Sequence, residues 1–300
     1  MKYLITGGAG FIGSEIANQL KDECIVIDNL SSGFKKNLNK EISFERGDIL
    51  DEKFIDLIFS KYRPERIIHL AAQVSVPKSI IDPIKDAETN IKGTLNILNA
   101  CVKYKCQKIV FASSVAVYGN ADIFPLIETH PAKPVNPYGV SKLTTEYYAY
   151  YFYKHYGLKY IALRYSNVYG PKQNSNGEGG VIAIFMNNKF KKLPLTVFGT
   201  GKQTRDFIYV SDVADATIKA VSNNLTGIYN VSTNCESSIN EIVSFLQKKG
   251  LIKSQIIHTG KRSGDIDRSW LSNDKIKKDF NWSPGFKLDQ GLIRMIKESK

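Results

Sequence analysis

The segment Thr6-Gly7-Gly8-Ala9-Gly10-Phe11-Ile12-Gly13 lies between an apolar run at Lys2–Thr6 and a helix-like run at Phe11–Lys21. No other feature restricts the chain as strongly. Gly7 permits a tight turn, Gly10 lets the backbone approach a pyrophosphate, and Gly13 lets helix and strand pack closely. The free N–H groups at the start of the helix then face phosphate charge. A bare glycine triplet is weak, because ordinary turns also demand glycine. The strand–turn–helix context makes it a dinucleotide-binding signal.

The rest of the first half keeps the same rhythm. Cys24–Asp28 reads as a second strand, Ile42–Arg46 as a third that ends at Gly47-Asp48, and Arg66–Leu70, Lys108–Ala112 and Tyr160–Arg164 as further strands. Residues 86–104 place Ile91, Leu95, Leu98 and Val102 at helical spacing, and Tyr138–Tyr156 reads as a helix. Strands alternating with helices predict an α/β fold built on a doubly wound parallel sheet.

The second half is less regular. A polar, glycine-rich loop over 171–180 precedes short strands (Thr196–Phe198, Ile228–Val231) and helices (Asp212–Ser222, Ile239–Lys249). We expect a nucleotide-binding domain over residues 1–171 with return segments near 203–234. A smaller α/β substrate-binding lobe is expected over 172–202 and 235–300.

Composition narrows the class. The 300 residues are 43% hydrophobic and 23% charged, ordinary for a globular protein. No apolar run is long enough to span a bilayer. The amino terminus enters a strand directly, without a signal-peptide pattern, so a cytoplasmic protein is expected. Cys24, Cys101, Cys106 and Cys235 form no CxxC pair and meet no histidine cluster; they read as reduced thiols, and no metal site is expected. The net charge of +12 fits either nucleic-acid binding or an anionic small substrate. The lysines are scattered rather than gathered in a stripe, which weakens the first reading.

Two groups of residues carry candidate chemistry. Asp28 ends the second strand about twenty residues past the glycine turn, where a carboxylate accepts the ribose hydroxyls of NAD and repels the 2′-phosphate of NADP. Asp48, followed by Ile49, closes the third strand, where an acid can meet the adenine amino group. Tyr138 and Lys142 share one helix face. A free tyrosine has a pKa of about 10 and is a poor base at neutral pH. A nearby ammonium and a positive nicotinamide ring both favour its phenolate. Ser114, just past a strand, is the candidate hydroxyl for the same substrate oxygen.

These motifs resemble the extended short-chain dehydrogenases/reductases, and within them the UDP-glucose 4-epimerase group. The resemblance covers nearly the whole chain. It rests on Thr6–Gly13, Asp28-Asn-Leu-Ser-Ser-Gly33, Gly47-Asp48-Ile49, His69-Leu-Ala-Ala-Gln73, Asn90, Ser113-Ser114 and Tyr138-Gly-Val-Ser-Lys142. Later landmarks are Arg164-Tyr-Ser-Asn167, Gly201-Lys-Gln-Thr-Arg205-Asp-Phe207 and Arg262-Ser-Gly-Asp265. It implies a Rossmann-type sheet and NAD as cofactor. The NAD would be held by Gly7, Gly10, Phe11, Ile12, Gly13, Asp28, Asn29, Ser32, Gly33, Asp48, Ile49, Leu70, Ala71, Ala72, Gln73 and Asn90, with Tyr138 and Lys142.

The resemblance also implies substrate contacts from Ser114, Tyr138, Asn167, Arg205, Arg262 and Asp265, and a homodimer through helices at 86–104 and 140–157. The activity implied is inversion at C4 of a UDP-hexose. Dehydratases of the family place an acid just after the strand, whereas Ser114-Val115-Ala116-Val117 has none, which points to epimerisation. Ala116 and Val74 depart from residues common in UDP-glucose epimerases. Ser269 falls at the family's gate position, where a small residue goes with N-acetylated sugars as substrates. Alternative readings are another NAD-dependent sugar-nucleotide enzyme, such as a uronic-acid epimerase or a reductase, or a non-catalytic NAD-sensing or RNA-binding protein of the same fold. The mark of the last would be a broken Tyr–Lys pair, and this pair is intact.

Overall fold

The computed structural model describes residues 2–174, 180–261 and 266–298 and is built around a seven-stranded sheet. Numbered along the chain, its strands are β1 (Tyr3–Thr6), β2 (Cys24–Asp28), β3 (Ser43–Arg46), β4 (Arg66–His69), β5 (Lys108–Ser114), β6 (Lys159–Tyr165) and β7 (Gly227–Val231). Their spatial order is β7-β6-β5-β4-β1-β2-β3, and every pairing is parallel. The chain reverses direction across the sheet between β1 and β4, which is where such sheets open a crevice for ligands.

The strands read as near-continuous apolar runs because both faces of the sheet are covered. Tyr3, Ile5, Val26, Ile68, Val110, Ile161 and Leu163 face one core, against helices Phe11–Leu20 and Val210–Ser222. Leu4, Ile25, Ile27, Ile67, Ile109, Phe111 and Ala162 face the other, against helices Glu52–Tyr62, Gly93–Lys103 and Pro137–Tyr156. A third core gathers Tyr169, Ile182, Phe185, Leu195, Phe207, Tyr209, Ile242, Leu246 and Leu292. Ile276 and Trp282, late in the chain, pack into the first core rather than the third. β7 pairs with the open edge of β6 in the main sheet.

Two departures from the sequence reading bear on the site. β5 and β6 run on through Ser113↔Arg164 and Ser114↔Tyr165. Polar residues fit there because they are paired: buried Arg164 and Glu146 form a bidentate ion pair (2.9 and 2.6 Å). The Ser113 hydroxyl donates to Glu146 as well. The helical stretch at 86–104 is not one α-helix. Helix Pro83–Ala87 passes through a π-helical turn, Glu88–Lys92, into helix Gly93–Lys103. Such widened turns often mark functional sites, and this one carries the buried Asn90.

At the opposite end of the sheet, buried Lys108 donates to the carbonyls of Ala220 (2.7 Å) and Asn223 (2.9 Å). Arg66 donates to that of Val221. The two side chains cap the carboxyl end of helix Val210–Ser222 by donating to its last carbonyls. Among the described residues the cysteines are free thiols, with Cys235 exposed and the others buried. No described helix is long and apolar enough to cross a membrane.

Candidate active site

The carboxyl ends of the strands open into one cleft of about 440 Å³, a size typical of small-ligand pockets. The glycine turn forms its floor. Gly7 has a φ of 67°, and a Cβ there would stand 2.6 Å from the Ala71 nitrogen. A Cβ on Gly13 would strike the Gly7 carbonyl. Glycine is therefore required at both positions by the close approach of backbone. Gly10 occupies the N-cap of helix Phe11–Leu20 without a capping side chain, so the first N–H groups stay available to an anion. Gly10, Phe11, Ile12, Leu70, Ala71 and Ala72 all line the cleft. Gly33 stands behind the turn, where its neighbour Phe34 donates to the Ala9 carbonyl (3.0 Å).

Asp28 closes β2 at the cleft wall. Its carboxylate accepts from the Ala9 N–H (3.0 Å) and the Leu30 N–H (2.8 Å). Burial pushes the carboxyl up and these two N–H groups pull it back down. Each oxygen keeps a further lone pair for a ribose hydroxyl. The Asn29 amide donates to Asp48 (2.8 Å), whose other oxygen accepts from the Leu50 N–H. Asn29, Ser32, Asp48 and Ile49 line this end of the cleft.

At the other end stand Ser114, Tyr138 and Lys142. Asn136 caps helix Pro137–Tyr156 by accepting from the Gly139 N–H (2.9 Å), which places Tyr138 in the first turn. The Ser114 hydroxyl and the Tyr138 phenol share a hydrogen bond. One turn on, the Lys142 ammonium donates to the Ala112 carbonyl (2.9 Å) and lies 5.7 Å from the centre of the Tyr138 ring.

Burial dominates both groups. It pushes the Tyr138 phenol up to about 12, with the Ser114 hydrogen bond opposing and the Asp86 charge adding. It holds Lys142 down to about 8, against the pull of Asp86. The expected lowering of the phenol by Lys142 is not found: burial is the largest cause of the shift, and the ammonium is directed at a backbone carbonyl.

The remaining expected residues divide. Asn167 lines the cleft and donates through its backbone to the Asp206 carbonyl (2.8 Å). Gln73 and Asn90 do not line it; they brace the wall from behind, with Asn90 accepting from the Gln73 N–H (2.8 Å). Arg205, on the short strand Thr204–Arg205, donates to the Thr204 carbonyl and lies outside the lining, as does buried Ser269. Arg262 and Asp265, and part of the 171–180 loop, lie outside the described residues. Sequence reasoning missed Thr89, Tyr165, Ser166, Lys172 and Phe207, all of which line the cleft. Ser166 was within reach, since it directly follows β6.

Asp206 was also missed. It is buried and accepts from the Thr233 N–H (2.9 Å) and hydroxyl (2.7 Å), which fixes Phe207 beside Asn167. Burial pushes its carboxyl up to about 6.

The family model described as the NAD dependent epimerase/dehydratase family matches residues 3–232. The chain belongs to this family. As in its members, NAD is the cofactor, and the cleft fits it: a glycine cradle that a single Cβ would fill, an open helix start, and a carboxylate at the end of β2. A protein of Methanocaldococcus jannaschii provisionally named UDP-glucose 4-epimerase is 41% identical over 297 residues, 98% of this chain and 96% of that protein. Among solved structures, the Thermotoga maritima UDP-glucose 4-epimerase with UDP-glucose has a TM-score of 0.96 and 39% identity, covering 99% of this chain and 98% of that one. The UDP-N-acetylglucosamine 4-epimerase of Methanobrevibacter ruminantium, in complex with UDP-N-acetylmuramic acid, has a TM-score of 0.94 and 32% identity, covering 99% and 97%.

Proposed function

We propose that this epimerase-family chain inverts C4 of a UDP-hexose through a transient 4-keto sugar. The observation that carries the reading is the meeting of Ser114, Tyr138 and Lys142 with the glycine cradle in a single cleft, with no acid among Val115–Val117. Bound NAD supplies a reversible acceptor for the C4 hydride. Ser114 and Tyr138 hold the sugar O4. Tyr138 takes the O4 proton and later returns it, while Lys142 orients the nicotinamide ribose. The protein contributes mainly position and a dry setting.

Asn167, Arg205, Arg262 and Asp265 are assigned to the nucleotide sugar, the two guanidinium groups to its pyrophosphate. Ser269 is assigned as the gate that admits an acetamido group at C2; its small size and the likeness to an N-acetylglucosamine nucleotide epimerase support this. We assign the protein to the cytoplasm, as a homodimer with no nucleic-acid or membrane partner. Residues 172–202 and 235–300 are assigned to the substrate-covering lobe. The dimer reading is supported by exposed Tyr147, Tyr150 and Tyr151 on helix Pro137–Tyr156 and by exposed Ile80, Ile81 and Ile84 beside it.

The test is to incubate the purified protein with UDP-glucose, UDP-galactose, both N-acetylated counterparts and UDP-glucuronic acid, and to separate the products. Interconversion of gluco and galacto forms is expected, the N-acetylated pair included. Reduced or decarboxylated products, or no product from any hexose, would overturn the reading.

A further inference from the structure

Behind the Tyr138–Lys142 pair lies a carboxylate that the proposed reaction does not use. Asp86, in helix Pro83–Ala87, is 1% exposed. One of its oxygens accepts from the Gln73 amide (2.8 Å) and the Asn90 amide (3.1 Å). The Asn90 amide also donates to the Ser141 hydroxyl (3.0 Å), and that hydroxyl donates to the Tyr138 carbonyl (3.0 Å). A continuous polar chain therefore runs from Asp86 to the turn of helix that presents Tyr138 and Lys142. Its side-chain hydrogen-bond partners are neutral amides, and a buried charge without a cation is costly. The cation that answers it electrostatically is Lys142.

We propose that Asp86 is a positioning residue for the catalytic pair: through Asn90 and Ser141 it fixes the first turn of helix Pro137–Tyr156, and it sets a buried negative charge behind both members. The proposal rests on the epimerase reading above. The other charged or titratable groups facing this pair do not supply the same charge. His69 on β4 is held neutral by burial. Glu146, one turn beyond Lys142, is spent on Arg164. Tyr138 itself is raised by the Asp86 charge. Asp86 therefore acts on both members in one direction, upward.

Asp86→Asn keeps the acceptor oxygen and removes the charge. It should move both limbs of the kcat–pH profile to lower pH by about one unit, since a close charge shifts a buried group by roughly that amount or more. KM should change little. A second measurement needs no turnover: acetylation of Lys142 by acetic anhydride, followed by peptide mass spectrometry across pH, should show its midpoint lowered in the same sense. The double variant D86N/Q73E returns a carboxylate to the hydrogen-bonded neighbour and should restore both midpoints; it is the variant to read if D86N alone does not fold. A lower kcat with unmoved limbs and an unmoved Lys142 midpoint, or a double variant that folds but keeps the shifted midpoints, would overturn the proposal. Wild type that fails to epimerise any UDP-hexose would instead count against the function, and the acetylation midpoint would still judge Asp86.

Discussion

Tyr138 and Lys142 are held away from their ordinary ionisation by the same dry wall, in opposite directions. A phenol pushed up to about 12 is a poor base until positive charge arrives near it. On the epimerase reading, proton removal would then wait for the positive charge that bound NAD brings. Tyr138→Phe keeps the ring and the helix turn but removes the proton carrier. It should lower kcat by about 10²–10⁴-fold while leaving the far-ultraviolet circular dichroism and NAD affinity intact. Activity within a few-fold of wild type would remove Tyr138 from this role. The pair itself was legible in the sequence from its spacing and its place after a nucleotide turn. Asp86 was not, because its importance comes from Gln73, Asn90 and Ser141, which approach it only in the folded chain.

Strands and helices were legible where burial is two-sided. β2 was placed at its observed ends because its residues are all buried and apolar up to Asp28. β5 was cut short because serine reads as a turn, and nothing local reveals that Glu146 receives the Ser113 hydroxyl. The π-helical turn at Glu88–Lys92 was hidden for a different reason: the apolar spacing continues on either side of it. One link between elements gives a pH test. His69 on β4 meets the Thr6 hydroxyl of β1 (2.6 Å) and the Thr94 hydroxyl of helix Gly93–Lys103 (2.9 Å). Burial holds it down to about 3, against about 6.5 in an unfolded chain. The unfolded state thus binds the extra proton between these values. Stability present above about pH 6.5 is lost as pH falls, at up to ~1.4 kcal/mol per pH unit. Asp206, raised to about 6, works in the opposite sense over part of this range but is common to both proteins compared. The difference between the urea midpoints of His69→Asn, which cannot titrate, and of wild type should move in the variant's favour as pH falls from 7 to 5. Parallel curves would show that His69 carries no such linkage.

At the scale of the whole molecule, the exposed tyrosines of helix Pro137–Tyr156 are the feature a lone chain explains least. Tyr147 is 64% exposed and Tyr150 50%, on the helix that carries Tyr138 and Lys142. If a second copy covers them, light scattering at micromolar concentration should give twice the chain mass of 33.7 kDa, and Tyr147→Glu with Tyr150→Glu should halve it. A wild-type mass of one chain would end the dimer proposal. The glycine turn, Asp28 and the strand alternation made the nucleotide half of the molecule legible from sequence. The third core was less so, because its short strands pair across long stretches of chain, as Leu195–Phe198 does with Ile256–Thr259.

The position of β7 has a consequence for how the molecule is made. β6 ends at Tyr165, and the strand that covers its open edge begins only at Gly227. A ribosome therefore delivers about sixty residues between the two, at roughly 5–20 residues per second. If the sheet assembles as the chain is made, β6 then keeps a row of unpaired N–H and C=O groups for several seconds, the kind of edge that recruits other chains. Slower elongation across this interval would lengthen that window without altering the finished molecule, and the folded yield would then follow the tempo of synthesis.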